Sequence, residues 1–245
     1  MRIRAVCRLA LILSLTGFSL HATTLTLGDP PMLGTGNCIP FGCPGFVGLT
    51  TYQQVYLSSA FPGTISISGL TFFDDQVFNG GLPAGGSYSV SFSYTAFDPG
   101  ELSLTSPAAN ISSGSQSFFS GTLPSLTPAG TGSELIITGT PFTYDPADGN
   151  LLITVTITGG TGTSPFLFLD EAQCGPQTAC PGGTPVISGN AYFGTSPGGN
   201  YQGGLVTGFS YTSLLSTPEP ASVLLVLTGL GLVGYQWRRR RALKG

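Results

Sequence analysis

One segment in the middle of the chain, SYSVSFSYT, alternates between two kinds of side chain from Ser87 onward. The apolar set of alternate positions comprises Tyr88, Val90, Phe92 and Tyr94. Every position between them is Ser. Successive side chains of a β-strand point to opposite faces, whereas those of a helix repeat every 3.6 residues. The segment therefore predicts a strand with one apolar face and one hydroxyl-bearing face.

Similar runs recur between residues 50 and 215. They include TTYQQVYL, TISISGLTFF, SQSFFSGTL, ELIITGT, NLLITVTITG, PFLFLD, NAYFG and LVTGFSYTSL. Sequences typical of turns, such as NGGLPAGG, DPGE, DPADGN and TSPGGN, separate them. The region shows no amphipathic helical pattern. We therefore predict an all-β fold, an antiparallel β-sandwich or jelly-roll-like domain.

The distribution of charge limits what this domain can bind. Every Lys and Arg lies within the first eight or the last eight residues, and the only His is His21. Between residues 23 and 217 there are ten Asp and Glu side chains, so this part has a formal charge near −10. A domain without cations cannot track a phosphate backbone, which excludes nucleic acid as a partner. Hydrolytic triads need a base near neutrality. We therefore predict no catalytic residues and no enzymatic activity, with a carboxylate glycosidase as the less favoured alternative.

The N-terminal segment has the three parts of a secretory signal peptide. Arg2, Arg4 and Arg8 come first, an apolar run covers residues 9–20, and a small residue follows at Ala22. This order predicts a signal peptide helix over residues 1–22, export by the Sec machinery, and cleavage after Ala22.

The C-terminal segment, residues 217–245, has a fixed order of three parts. A Pro-Glu-Pro motif, Pro218, Glu219 and Pro220, precedes an uncharged apolar run over residues 221–237. As a helix this run would be roughly 25 Å long, close to the thickness of a membrane core. We predict a single transmembrane helix there, with the basic tail 238–245 held on the cytoplasmic side. The basic cluster comprises Arg238, Arg239, Arg240 and Arg241.

These three parts, in this order, resemble the PEP-CTERM sorting signal of Gram-negative bacteria that make extracellular polysaccharide. In that family a membrane-embedded processing enzyme, an exosortase, recognises the signal. The resemblance implies an exosortase partner, a transient inner-membrane anchor, and a final location at the cell surface, outer envelope or extracellular matrix. Together with the signal peptide (1–22), the sorting signal (217–245) leaves a predicted secreted domain over residues 23–216.

The secreted domain also resembles a group of PEP-CTERM proteins in three segments: Tyr52–Phe73, Thr140–Val155 and Gly204–Tyr211. Together these segments cover under a quarter of the domain. The resemblance implies a shared β-domain and says nothing about chemistry.

Four cysteines remain after removal of the signal peptide. They form two doublets, Cys38 with Cys43 and Cys174 with Cys180. An exported chain with an even number of cysteines is typical of a disulfide-bonded protein. Three pairings are open, and the turn sequence inside each doublet favours two local bridges. The spacings and the absence of His do not match a zinc site.

One turn offers oxygen ligands for a cation. In YDPADGN, the side chains of Asp145, Asp148 and Asn150 are close in sequence, and calcium binds such oxygen ligands together with backbone carbonyls. The alternative is a type I turn that begins with Asp-Pro and ends with Gly. We favour the turn, so no cofactor is expected, with Ca²⁺ at this position as the alternative.

Two further acidic pairs follow strand-like runs: Asp74-Asp75 and Asp170-Glu171. We interpret both as solvated strand ends. The whole sequence predicts an exported structural or interaction protein of the cell surface or extracellular matrix. A carbohydrate-binding module, with or without calcium, is the alternative, and extracellular polysaccharide is then the partner.

Overall fold

The computed structural model describes residues 22–28, 36–45, 48–75, 81–126, 132–161, 166–173, 188–194 and 199–214, together with positions 228, 230 and 239. The predicted signal peptide up to position 21 and most of the sorting signal lie outside these residues. The chain divides into two compact units, Met1–Ser213 and Leu214–Gly245. Among the described residues, no helix is long and apolar enough to cross a membrane.

Twelve strands, all paired antiparallel, make up the described part of the first unit, which confirms the predicted all-β class. They are β1 (Thr23–Leu27), β2 (Gly36–Asn37), β3 (Leu49–Tyr56), β4 (Ile65–Phe73), β5 (Gly85–Thr95), β6 (Ser113–Gly121), β7 (Glu134–Tyr144), β8 (Asn150–Thr161), β9 (Leu169–Gln173), β10 (Ser188–Gly194), β11 (Asn200–Leu205) and β12 (Thr207–Ser213). Three short 3₁₀ turns lie between them, at Ser58–Ala60, Pro107–Asn110 and Pro146–Asp148.

The strands form two sheets that share one core. The small sheet has the order β1-β12-β4-β7, and the large sheet has the order β2-β9-β11-β10-β3-β8-β5-β6. Aromatic rings meet across the gap between them: the rings of Phe92 and Phe142 stack 5.1 Å apart, and Tyr56 meets Phe209 edge-on at 5.1 Å. Such face-to-face packing of two antiparallel sheets is the arrangement of a β-sandwich.

The alternating segment forms β5, as its pattern predicts. Tyr88, Val90 and Phe92 are fully buried in the core between the sheets. Ser93 and Thr95 are also buried, although they belong to the hydroxyl-bearing set. Another part of the chain also covers the outer face of the large sheet, so β5 has no fully solvated face.

The cover is the segment between β5 and β6. Leu102 packs on Val55 and Leu152 in a second, smaller core on the outer face of the large sheet. Two hydrogen bonds hold the segment in place. Asn110 Nδ2 donates to Gln53 Oε1 at 2.8 Å, and Gln53 Nε2 donates to the Pro107 carbonyl at 3.0 Å. These buried amides are therefore structural.

The small sheet has two distinct ends. Thr23, where the predicted secreted domain begins, pairs with Tyr211, and Ser213 pairs with Ile65. We call this the termini end. Thr207, paired with Phe72, lies at the opposite end, which we call the far end.

A disulfide-closed loop lies at the far end. Cys38 and Cys43 are bonded, with their Cα atoms 5.3 Å apart, which confirms the local pairing predicted for this doublet. The loop inserts Phe41 into the core, where its ring lies 4.8 Å from that of Phe72. The second doublet, Cys174 and Cys180, lies outside the described residues.

Candidate functional site

The far end of the small sheet gathers three carboxylates from two distant parts of the sequence. Asp74 and Asp75 extend the chain beyond β4, and Asp74 forms an antiparallel bridge with Leu169. The Asp75 amide donates to the Phe168 carbonyl at 2.9 Å. These backbone contacts place the end of β4 beside the start of β9, where Asp170 follows.

This acidic cluster, defined as Asp74, Asp75 and Asp170, is buried. Their exposed fractions are 2%, 0% and 1%. The interpretation of these positions as solvated strand ends is therefore wrong, and only Glu171 retains partial exposure.

The burial results from loops that cross the far end. A Cβ atom added at Gly36 would lie 2.5 Å from Asp75 Oδ2, and one added at Gly42 would lie 1.9 Å from the Leu167 carbonyl oxygen. Strand β2 and the disulfide-closed loop thus lie directly against the strands that carry the carboxylates. Glycine is required at both positions because a side chain would overlap these atoms.

The environment of Asp74 is unfavourable for a charged carboxylate. Among the described residues, neither of its carboxylate oxygens accepts a hydrogen bond, although both are buried. Burial first, and then the charges of Asp75 and Asp170, raise the pKa of Asp74 from 3.8 to about 6. An ionised carboxylate in this position is costly because it has lost water and gained no donor.

The neighbouring Glu171 has a different environment. Asn37 Nδ2 donates to Glu171 Oε1 at 3.1 Å, and Asn37 Oδ1 accepts from the Ile39 amide at 2.8 Å. Burial, together with the charges of Tyr56 and Glu171, raises the pKa of Tyr52 well above its ordinary value. Tyr52 therefore stays neutral and acts as a hydrogen-bond donor.

A ladder of polar side chains continues from Tyr52 through the core. The Tyr52 hydroxyl donates to Gln54 Oε1, and Gln54 Nε2 donates to the Leu205 carbonyl at 2.8 Å. The Tyr56 hydroxyl donates to Thr207 Oγ1 at 2.7 Å. These groups satisfy one another where the chain passes from β11 to β12.

The turn predicted as a calcium alternative lies at the termini end, after β7. Asp145 Oδ1 accepts from the Ala147 amide at 3.0 Å and caps the 3₁₀ turn. Asn150 Oδ1 accepts from the Ser58 amide at 2.8 Å, and Asp148 is exposed. These contacts are those of the structural turn, and calcium at this position stays a prediction.

The sequence alone gave little indication of the acidic cluster. Its two halves lie about 95 positions apart, and the two acidic pairs were visible only as separate strand ends. In the described part of the chain, no three His, Cys, Asp or Glu side chains converge as a preformed metal centre. The sorting residues lie outside the described part, except Arg239, which is helical and exposed.

Comparison with known proteins identifies the C-terminal segment. Residues 216–241 match the PEP-CTERM protein-sorting motif. No curated protein matches the chain. One solved structure resembles it with a TM-score of 0.38 and 12% identity, over 68% of this chain. It contains the cysteine protease and lectin-like domains of a surface layer associated protein of Clostridium difficile, and the match covers 32% of that chain.

Proposed function

We propose that this chain, which carries a PEP-CTERM protein-sorting motif, is a structural or interaction component of the cell surface or extracellular matrix. The motif is the observation that carries the proposal, because such motifs direct export to the cell envelope. An exosortase-type enzyme is the processing partner that the motif implies. The Cys38–Cys43 disulfide fits an oxidising exterior.

The topology is compatible with this route. Because β1 pairs with β12, the start of the secreted domain lies beside the strand that leads into the sorting signal. In the proposed route the Sec machinery exports the chain, the helix 221–237 anchors it transiently, and an exosortase removes the anchor.

The described surface supports a non-catalytic role. The carboxylates that the fold brings together are almost fully buried, so a sugar ring could not reach them in this conformation. On β7 the outward positions Thr138, Thr140 and Thr143 are exposed hydroxyl side chains. An uncharged hydroxyl-bearing face suits contact with hydrated polysaccharide, which is the reason to keep a carbohydrate-binding module as the second candidate.

The sorting proposal is tested in an exosortase-containing host. We expect the intact mass of the mature protein to correspond to a chain that starts near Thr23 and ends near Pro218–Pro220. Replacement of Pro218, Glu219 and Pro220 by Ala should leave the protein in the membrane fraction. The matched control replaces the flanking Ser216 and Thr217 by Ala.

Two outcomes would contradict sorting: an unprocessed mass of 25.1 kDa, or normal release of the variant without the motif. The carbohydrate-binding candidate has its own test, which is retention of the mature protein on polysaccharide purified from the same host. Thr138→Lys and Thr143→Lys should reduce that retention if the β7 face makes the contact. Unchanged retention would exclude this face.

A further inference from the structure

We propose that the acidic cluster binds one calcium ion, with Asp74 as the central ligand and Asp75 or Asp170 as the second carboxylate. The site would join the end of β4, in the small sheet, to β9, in the large sheet. This inference does not rest on the proposed function, because it concerns only the buried carboxylates of the folded domain.

The first argument is the state of Asp74. Its side chain is 2% exposed, and its two oxygens have no hydrogen-bond donor among the described residues. Its backbone bridges Leu169, the residue before Asp170, and Asp75 follows it in the chain, which places it inside the cluster. Buried acceptors are almost always satisfied, so an ion or water that binds Asp74 would remove an unfavourable feature of the fold.

The second argument is the composition of the secreted domain. No Lys or Arg lies between residues 23 and 217, so no side-chain cation can neutralise the cluster. Neutralisation must come from protons or from a dissolved cation. A dissolved cation bound to the buried carboxylate oxygens would supply that charge.

Calcium is the cation that fits this chemistry. Every donor in the cluster is a hard oxygen, which favours calcium, magnesium or manganese over zinc or copper. Calcium accepts six to eight oxygens in flexible geometry, so carbonyl groups and water can complete its shell around two carboxylates. Magnesium demands a near-ideal octahedron and gives up its water reluctantly.

The carboxylates are not preassembled around a common centre. Calcium binding must therefore draw them together against their repulsion, which lowers affinity. We expect a dissociation constant of about 10⁻⁴ to 10⁻³ M, the range of extracellular calcium modules. Such a site would fill outside the cell, where it would strengthen the junction between the two sheets.

The experiment uses the secreted chain, residues 23–216, with its disulfides oxidised. All members of the main core lie between Leu27 and Tyr211, inside the compact first unit. After removal of metals with a chelator, thermal melting is measured in NaCl, MgCl₂ and CaCl₂ at equal ionic strength and pH 7.5. At a calcium concentration about 100-fold above the dissociation constant, we expect melting about 5–10 °C higher than in MgCl₂.

Two amide variants locate the ion. Asp74→Asn removes the central ligand and should abolish the difference between calcium and magnesium, while the variant melts no lower than the parent without calcium. Asp148→Asn, the matched control in the Asp145–Asn150 turn, should keep the full difference. Equilibrium dialysis should find one bound Ca²⁺ per parent chain and none in Asp74→Asn.

Three results would overturn the proposal. The first is equal melting in calcium and magnesium together with no bound calcium. The second is a calcium response that survives in Asp74→Asn. The third is a calcium response lost in Asp148→Asn, which would move the ion to the turn at the termini end.

Discussion

The two acidic regions at opposite ends of the small sheet differ in how their polar atoms are satisfied. At the termini end, Asp145 and Asn150 accept hydrogen bonds from nearby amides, and Asn150 Nδ2 also donates to Asp98 Oδ1 at 2.9 Å. At the far end, Asp74 is buried among carboxylates, and neither of its oxygens accepts a hydrogen bond. Polar side chains are therefore hydrogen-bonded at the termini end, whereas the buried Asp74 carboxylate at the far end accepts no hydrogen bond from the described residues.

The difference between Asp145 and Asp74 follows from sequence separation. Asp145 caps an amide only two positions away, so a short turn satisfies it whenever the turn forms. The acidic cluster forms only when the two sheets close, because Asp74 and Asp170 lie far apart in sequence. Within a cluster assembled in this way, neither oxygen of Asp74 accepts a hydrogen bond from the described residues.

The largest expected effect concerns the termini end, where the polar side chains are hydrogen-bonded. Asn150→Ala removes the bonds from Asn150 to Ser58, Phe97 and Asp98, and it leaves buried groups without partners. We expect a loss of about 2–4 kcal/mol in the free energy of unfolding, measured with urea. Asn150→Asp is the matched control. It should be more destabilising at pH 7.5 than at pH 5, because its new carboxylate faces Asp98. A loss below the resolution of the measurement would show that the turn is not held by Asn150.

The next effect concerns the disulfide beside the acidic cluster. Replacing Cys38 and Cys43 by Ser together should lower the free energy of unfolding by about 2 kcal/mol, since the bridge closes a short loop. Hydrogen exchange should show where the loss acts. The Ala84 amide, which donates to the Phe41 carbonyl, should exchange faster, whereas the Asp148 amide should not. Equal acceleration at both ends would contradict the separation of the two regions.

The third effect is the pH dependence of the cluster without calcium. The pKa of Asp74 in the folded chain, about 6, lies above its ordinary value of 3.8. The folded state therefore takes up a proton that the unfolded state lacks, and stability should rise as the pH falls through 6 toward 4. We expect the melting temperature to rise by about 2–4 °C between pH 7.5 and pH 5. In Asp74→Asn the rise should be smaller, and an unchanged rise would assign it to other groups.

The smallest effect is expected at the exposed position of the turn. Asp148→Asn changes a solvated side chain, so the free energy of unfolding should stay within about 0.5 kcal/mol of the parent. The measurement is urea unfolding in calcium-free buffer. A loss above about 1 kcal/mol would show that Asp148 has a structural role comparable to that of Asn150.

The fold class was predictable from the sequence because its signal is local. The alternation in β5 indicates which face is apolar, and Tyr88, Val90 and Phe92 on that face are buried in the structure. The local disulfide was also predictable, since Cys38 and Cys43 enclose a turn. The burial of Ser93 was not, because it depends on the segment that covers the outer face of the large sheet.

The sequence by itself determined the all-β class, the negative charge of residues 23–217 and the presence of a sorting motif. The motif depends only on the order of residues in the chain. The tertiary structure alone decided that Asp74, Asp75 and Asp170 lie together and buried. The physical reason is that periodicity and turn chemistry act over a few residues. The environment of a carboxylate depends on which distant strands pack beside it. Two acidic pairs that look solvated in the sequence therefore become a buried cluster once β4 and β9 meet.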